Sequence, residues 1–419
     1  MAAMASVTHV SVTRPIPTGS VGGDRRWALV IMVAPLLGAT LLAKLAVPPL
    51  GAMGIAIGMF LTLVAGAWGL ASGRLLLDAR VLAGFAILFA FAGIGPMLRG
   101  EAYSLPSLVF LMVLHAPYVL VAAAGKAPDV ESMQRLFSRL CLFVAWCGIV
   151  QFGIQFVIGP VLAFPAENLV PEALQVQAFN KQGPLAYGYD IYRSNGVFML
   201  EPSFFSQLMA IGIAFELAVT GAWWRAAVMA VALVLSYSGT GMIVLAVCLP
   251  VVAMVYQRWQ LVPMAVLAAV AIVVGADYLN LDLFVSRAGE FQSTGSSAFA
   301  RFVGGFYLFE QFLWDEPLRA LFGYGAGTFK DYAPQVSVPV AEMAVPKMVF
   351  EFGLLGGLLY FGLLGWVVFR SPAPFILRLS VYVTYFLSGN YIVFSHGLAL
   401  SLLTWPNDLR GKPVIGGAK

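Results

Sequence analysis

The stretch that decides the fold is 353–369, which reads GLLGGLLYFGLLGWVVF and carries no charged side chain. Its length is within the roughly 17–25 residues that a helix needs to cross a hydrocarbon core about 30 Å thick. Similar apolar runs recur along the chain, whose 419 residues are 60% hydrophobic and only 11% charged. Soluble domains are about 45–50% apolar and about 25% charged. The composition therefore excludes a water-soluble globule, a disordered chain and a coiled coil, and it predicts an all-α polytopic membrane protein.

The apolar runs predict twelve membrane-spanning helices. The run 224–257 is divided at the hydroxyl- and glycine-rich sequence SYSGTG, because such residues suit a tight turn, and the last two spans are divided at Ser388-Gly389-Asn390. The predicted spans are 27–47, 50–71, 81–97, 105–124, 140–159, 206–222, 224–238, 240–257, 259–276, 353–369, 375–391 and 392–406.

Basic residues predict the orientation of these spans. With both termini in the cytoplasm, most Lys and Arg residues fall on cytoplasmic segments, as the positive-inside rule requires. No small-residue cleavage site follows the first apolar run, so we expect an uncleaved first span. The predicted parts are a cytoplasmic tail 1–26, an N-terminal bundle of five spans 27–159, a first external loop 160–205, four central spans 206–276, a second external loop with interfacial helices 277–352, three C-terminal spans 353–406 and a cytoplasmic tail 407–419.

The first external loop ends in YRSNGVF at 192–198, followed by EPSFFSQ at 201–207. Arg193 is a permanent planar cation whose several N–H donors suit phosphate oxygens. Glu201 before a proline, with Ser203 next, is typical of a helix start. Two interpretations stay open: a phosphate site, or a capped interfacial helix in which Arg193 pairs with Glu201 or with a lipid phosphate.

The second external loop contains Arg301 in SSAFARF, an aromatic amphipathic stretch at 306–314, and LFGYGAGTF at 321–329, which includes Tyr324. The amphipathic stretch predicts an interfacial helix. Three glycines at every second position allow either a plain turn or backbone N–H groups that meet an anion, and the plain turn is the favoured interpretation.

Lys347 and Glu351 stand four residues apart at the start of the tenth span. The spacing predicts an ion pair on one helix face, and the alternative is a cation that faces a phosphate or a sugar hydroxyl. Ionisable residues inside spans are functional candidates, with hydrogen bonding within the bundle as the alternative for the histidines. These residues are His115, Glu216 and His396. The sequence contains no metal-ligating or nucleotide-binding motif, and we expect no cofactor and no nucleic-acid partner.

The motifs between about Arg193 and about Gly365, taken together with their order along the chain, resemble those of the O-antigen ligase and Wzy-type polysaccharide polymerase superfamily. The members of this superfamily are bacterial membrane glycosyltransferases with a GT-C-like fold. The matching features are RSNGVFMLEPSFFSQ, SYSGTG, an arginine in the second loop, LFGYGAGTF and EFGLLGGLLYFGLLG. The first five spans match this superfamily in character only.

The resemblance implies a metal-independent, inverting glycosyltransferase of the bacterial cytoplasmic membrane, acting at its external face. Its substrates would be a polyprenyl-diphosphate-linked oligosaccharide donor and an acceptor, and its partners a flippase and chain-length regulators. The resemblance assigns Arg193 and Arg301 to the donor diphosphate. The predicted catalytic residues are Arg193, Arg301, Glu201 and Lys347, the predicted substrate-binding residues are Tyr192, Ser203, Tyr324 and Glu351, and the general base stays open among Glu201, Glu342 and Glu351.

One departure favours a polymerase over a ligase. Ligases of the superfamily carry a histidine shortly before the EFGLLG-like segment, whereas no histidine lies between His115 and His396 here, and the nearest cation is Lys347. We therefore expect a polymerase of lipid-linked repeat units for a surface polysaccharide. The alternatives are a ligase or O-oligosaccharyltransferase of the same fold, a transporter or flippase of lipid-linked sugars, and a non-catalytic partner of such machinery.

The predicted orientation can be tested with phosphatase fusions. We expect an alkaline phosphatase fused near Gln177 or Gln335 to be active, because both positions are predicted to be external, and a fusion after Lys419 to be inactive. Activity of the C-terminal fusion would contradict the twelve-span arrangement, first of all at the division within 224–257.

Overall fold

The computed structural model describes residues 22–48, 55–99, 103–127, 130–177, 179, 181–185, 189–261, 263, 292–389, 393–407 and 414–415. The chain is mostly helical. Among the described residues, four helices are long and apolar enough to cross a membrane: Ala79–Met97, Val130–Ile158, Pro202–Thr220 and Ala344–Phe369. Shorter apolar helices accompany them, so length and composition agree with a helical membrane protein.

Helices make up most of the described chain, and we number them in chain order. The first ten are α1 Gly22–Ala39, α2 Ile57–Ala71, α3 Ala79–Arg99, α4 Leu105–His115, α5 Val130–Ile158, the short α6 Pro160–Ala163 and α7 Pro165–Leu169, α8 Pro202–Phe215, α9 Trp223–Leu235 and α10 Gly239–Val255. The others are α11 Ser297–Phe302, α12 Gly304–Phe312, α13 Pro317–Phe322, α14 Phe329–Tyr332, α15 Ala344–Phe369, α16 Phe375–Leu387 and α17 Val393–Ala399. Turns of π-helix at Glu216–Thr220 and Leu400–Thr404 extend α8 and α17, and 3₁₀ turns lie at Ala116–Val119, Glu172–Leu174 and Ala333–Gln335.

Eleven of the predicted spans overlap an apolar helix of the described chain, and four of these helices are long enough to cross a membrane. The other, 259–276, lies almost entirely outside the described residues. The break within 224–257 is confirmed, because α9 ends at Leu235, α10 begins at Gly239, and Tyr237 between them has a φ of 45°. The final break is confirmed at Ser388 and Gly389, while Asn390 lies outside the described residues.

Several predicted span boundaries were wrong. The helix of the first span ends at Ala39 instead of 47, and that of the fifth begins at Val130 instead of 140. The sixth span begins at Pro202 instead of 206, and the tenth begins at Ala344 instead of 353. The position 353 is a break inside α15, since Gly353 has a φ of 70° and divides a first helical segment, 344–352, from the apolar remainder. Charged residues usually end an apolar run, but Lys347 and Glu351 pair on one face of this first helical segment.

The structure also departs from the all-α prediction through a small antiparallel sheet with strand order β2-β1-β3. The strands are β1 Leu75–Asp78, β2 Leu120–Ala122 and β3 Val414–Ile415. Leu75 pairs with Ala122, and Leu77 pairs with both Leu120 and Ile415. The predicted span 105–124 is therefore too long: α4 ends at His115, and Pro117, which lacks an N–H group, lies in the 3₁₀ turn that leads into β2.

The centre of the bundle is α8. Every residue from Pro202 to Phe215 is buried, and α5, α9, α10 and α16 pack around this helix. The contact with α10 is close because Gly241 has no side chain: a Cβ atom added there would lie 2.4 Å from the Ser206 carbonyl oxygen. Small residues permit such close helix contacts inside membranes, where packing and not water exclusion drives association.

Gly241 offers a test of this contact, with Gly239 as its matched control. We expect Gly241→Ala to destabilise the protein by about 1–3 kcal/mol, because the new methyl group meets backbone that cannot easily move. Gly239→Ala should be neutral or slightly stabilising, since no atom lies within 4 Å of an added Cβ there. Thermal unfolding in detergent can be followed by a thiol-reactive dye, because Cys141 and Cys248 are buried. Equal melting temperatures for both variants would contradict the close α8–α10 contact.

Candidate functional site

The N-terminal end of α8 brings together three of the predicted site residues. Glu201 precedes the helix in an extended conformation, and the Ser203 hydroxyl donates a hydrogen bond of 2.9 Å to its Oε2 atom. The Arg301 Nη2 atom lies 3.4 Å from the same oxygen, although the two residues are 100 positions apart. The Arg301 side chain is 30% exposed, so this pair lies at a partly accessible position.

The first segment of α15 carries a second charged group. Lys347 donates a hydrogen bond to Glu342, and its Nζ atom is 4.0 Å from the Glu351 Oε1 atom. Glu351 is buried and also accepts a hydrogen bond of 3.4 Å from the Phe329 backbone N–H. The predicted ion pair four residues apart on one helix face is therefore confirmed, and Glu342 joins it.

A backbone hydrogen bond links these two charged groups. The N–H group of Ala341 donates to the carbonyl oxygen of Ala300 over 2.8 Å. Ala300 directly precedes Arg301, and Ala341 directly precedes Glu342. The segments that carry Arg301 and Glu342 therefore lie side by side.

Lys347 and Glu351 also line a cavity of about 420 Å³. This volume is within the range of about 300–1,000 Å³ that is usual for small-molecule sites. Ser107 and Tyr360 are further polar lining residues. The apolar lining includes Ile55, Phe110, Leu111, Leu114, Met348 and Phe352. The cavity thus combines an apolar wall with a charged group on α15.

The glycine-rich loop at 321–329 packs against the break in α15. Gly323, Gly325 and Gly327 have φ values of 71°, 103° and 81°. The N–H of Tyr324 donates to Phe350 O over 2.9 Å, and that of Gly325 donates to Glu351 O over 2.7 Å. These two amides satisfy carbonyl groups of the broken helix, whereas the Phe329 amide at the end of the loop meets the Glu351 carboxylate.

The sequence predicts that Tyr324 binds substrate, but the structure places its side chain inside an aromatic cluster and not among the residues that line the cavity. It is 4% exposed, and its ring stacks on Phe350 with centroids 4.7 Å apart. Its hydroxyl donates to Phe312 O over 2.6 Å and accepts from Arg319 over 3.0 Å. Both hydrogen-bonding functions of the hydroxyl are used inside an aromatic cluster, because the glycine turn directs this side chain inward.

Arg193 lies in the unwound segment before α8. Its N–H donates to Gly183 O over 3.0 Å, and its guanidinium lies so close to Gly183 that an added Cβ atom would be 2.7 Å from Nη2. The adjacent Ser194 N–H donates to Leu235 O over 3.1 Å, at the end of α9. The neighbouring Tyr192 is half-buried, and its ring packs edge-on against Phe164 with centroids 5.8 Å apart.

The region where α9 ends and α10 begins forms hydrogen bonds with the segment that carries Arg193 and with the start of α8 beside Arg301. On one side, Leu235 accepts the Ser194 hydrogen bond described above. On the other, the Thr240 hydroxyl donates to Ser203 O over 3.1 Å. The end of α9 thus bonds to the Arg193 segment, and the SYSGTG motif that follows it bonds to the start of α8, where Glu201 pairs with Arg301.

Sequence reasoning missed the residues that fix the first loop. Lys44 and Glu167 form an ion pair whose side chains are 5% and 7% exposed, and Lys44 also donates to Val197 O. Asn195 donates to the same carboxylate oxygen as Lys44, with Nδ2 2.7 Å from Glu167 Oε1. Burial lowers the pKa of the nearby Lys181, and the carboxylate of Glu167 opposes that effect.

Other missed residues left a signal in the sequence. Gln151 and Gln155 are buried amides four residues apart inside the apolar helix α5, and both bind the Arg193 segment. Polar residues at that spacing in a span indicate a polar partner on one helix face. Among the described residues, no group of three or more His, Cys, Asp or Glu side chains could hold a metal ion.

The buried Lys44–Glu167 pair yields a stability prediction. We expect Glu167→Gln to destabilise the protein by about 3–5 kcal/mol, because it leaves a buried ammonium group without its counter-charge. Glu172→Gln is the control, since Glu172 is exposed in the same loop. Thermal unfolding and limited proteolysis of residues 160–190 measure the effect. If the two variants unfold at the same temperature as the wild type, this ion pair does not anchor the loop.

No protein-family model matches this chain, and no curated protein matches it either. The function is therefore inferred from the chemistry of the site itself. Two groups of paired cations and carboxylates lie on adjacent segments, and one of them lines an apolar cavity.

Proposed function

We propose that this protein is a polysaccharide repeat-unit polymerase. It transfers glycan from a polyprenyl-diphosphate donor to a hydroxyl of an acceptor sugar at the external face of a bacterial cytoplasmic membrane. In this proposal the chain has twelve spans with both termini in the cytoplasm, and it works beside a flippase and chain-length regulators. The observation that carries the proposal is the position of Lys347 and Glu351 on the wall of an apolar cavity, on a segment bonded to that of Arg301.

The substrate has three chemically different parts, and the site offers a surface for each. A lipid-linked oligosaccharide combines a hydrocarbon chain, an anionic diphosphate and a polar glycan. The apolar wall that includes Leu111 and Phe352 suits the hydrocarbon. Arg301 and Lys347 suit the diphosphate, and the carboxylates beside them suit sugar hydroxyls.

The arginines provide the main chemical contribution in this proposal. During transfer, the acceptor hydroxyl attacks the anomeric carbon, the bond between that carbon and the phosphate oxygen breaks, and the electron pair stays on the diphosphate. Preorganised cations stabilise the charge that develops on the leaving group. Arg301 is partly exposed beside Glu201, and Arg193 is held on the other long loop.

A carboxylate must accept the proton that the acceptor hydroxyl loses. Glu201 lies beside Arg301, whereas Glu351 lines the cavity and Glu342 pairs with Lys347. The three carboxylates lie at two different places in the site. If Glu201 is the proton acceptor, the proton is accepted at the N-terminal end of α8. If Glu342 or Glu351 is the acceptor, the proton is accepted on the α15 side of the site.

The arginines supply the test of the proposed function. We expect Arg301→Ala and Arg193→Ala each to lower polymerisation about 10²–10³-fold, which is typical of removing one donor to a developing anion. Single lipid-linked repeat units should accumulate in cells. Lys330→Ala is the control, because Lys330 is an exposed cation of the same loop as Arg301. The readouts are polymerisation of purified lipid-linked repeat units and a protein blot that confirms insertion.

Each competing function predicts a different product. Accumulation of long lipid-linked polymer in the variants would indicate a ligase, and repeat units trapped on the cytoplasmic leaflet would indicate a flippase. Normal polymer from both arginine variants would refute an enzymatic role for this site.

A further inference from the structure

Two buried amides on α5 hold the segment that carries Arg193. Gln155 binds Tyr192 through both of its functional atoms: Oε1 accepts from the Tyr192 N–H over 2.8 Å, and Nε2 donates to the Tyr192 carbonyl over 3.1 Å. This pair of bonds replaces the partners that a helix or a strand would give the Tyr192 backbone. The residue before Arg193 is therefore fixed to a membrane helix.

The second amide holds the residues after Arg193. The Oε1 atom of Gln151 accepts from the N–H groups of Asn195 and Val197 over 3.1 and 3.2 Å, and from the Ser194 hydroxyl over 3.1 Å. Its Nε2 atom donates to Asn195 Oδ1 over 3.0 Å. Because Gln151 and Gln155 are one helical turn apart, their amides bracket Arg193 on both sides along the chain.

The bracketed segment has no regular structure of its own. Gly196 and Val197 have φ values of 66° and 67°, a conformation that is rare for a β-branched residue. Buried backbone N–H and C=O groups need partners, and a strained conformation persists only where its surroundings fix it. The two glutamines provide partners on both sides of Arg193, and Gly183 and Leu235 provide those of the Arg193 and Ser194 N–H groups. The glutamines thus contribute to the direction in which Arg193 leaves the chain.

We infer that Gln151 and Gln155 are positioning residues that preorganise Arg193 for a diphosphate ligand. This role rests on the proposed function. The guanidinium lies directly over Gly183, and it can do so because this residue has no side chain: an added Cβ atom would lie 2.7 Å from Nη2. Preorganisation reduces the entropy that a side chain loses when the ligand binds, so its loss weakens the binding of the ligand.

The test is a double-mutant cycle on the full chain in nanodiscs, with farnesyl diphosphate as the probe and its dissociation constant as the readout. We expect Gln155→Leu to weaken binding about tenfold, and to have no further effect when Arg193→Ala is already present. Gly153→Ala is the matched control on α5, because Gly153 is exposed and no atom lies within 4 Å of an added Cβ there. A second variant, Gln155→Met, keeps most of the length of the side chain and removes only its amide.

The outcomes separate this inference from the proposed function. If the wild type binds no farnesyl diphosphate, both are refuted. If Arg193→Ala abolishes binding but folded Gln155→Leu and Gln155→Met bind as the wild type does, only the positioning role is overturned. The role is also overturned if Gln155→Leu weakens binding equally with and without Arg193, or if neither glutamine variant folds, since both results assign Gln155 to general stability.

Discussion

The arrangement depends on one constraint: polar backbone inside an apolar bundle must find partners within the protein. Three stretches around the candidate site are not helical. The backbone N–H and C=O groups of each one form hydrogen bonds with side chains or with the backbone of another stretch. The segment before α8 bonds to the glutamines of α5. The end of α9 bonds to that segment, the SYSGTG turn that follows bonds to Ser203, and the glycine-rich loop bonds to the break in α15. These interactions link both long loops to the central helices.

Apolar length and turn chemistry explain what could be predicted from the sequence. Runs of lipid-compatible residues predict helices because a helix satisfies its own backbone, so the positions of eleven described helices follow from composition. The turn at 236–241 follows from its hydroxyl and glycine residues. The Lys347–Glu351 pair follows from helical spacing, because residues four positions apart lie on one face.

What could not be predicted depends on contacts between distant parts of the chain. The sequence predicts that the tenth span starts at 353, because charges usually end an apolar run. The helix begins earlier, at Ala344, and the charge of Lys347 is accommodated there by its carboxylate partners. The inward direction of Tyr324 depends on packing between its loop and Phe350. The Arg301–Glu201 pair joins residues 100 positions apart, and no local pattern encodes it. The glutamines of α5 did leave a signal, but their partners lie on an irregular segment that has no characteristic sequence pattern.

The pairing of charges connects ligand binding to chemistry in the proposed polymerase. Arg301 pairs with Glu201, and Lys347 pairs with Glu342 and Glu351. A partly buried cation without a counter-charge is costly, so carboxylates occupy these positions before a substrate arrives. An incoming diphosphate offers the same cations more negative charge and bidentate acceptors, and it competes with the carboxylates for them. A carboxylate released from its cation becomes a stronger base, since the opposite charge no longer stabilises its ionised form. Donor binding would thus make a proton acceptor available beside the leaving group, in the step where the acceptor hydroxyl needs one.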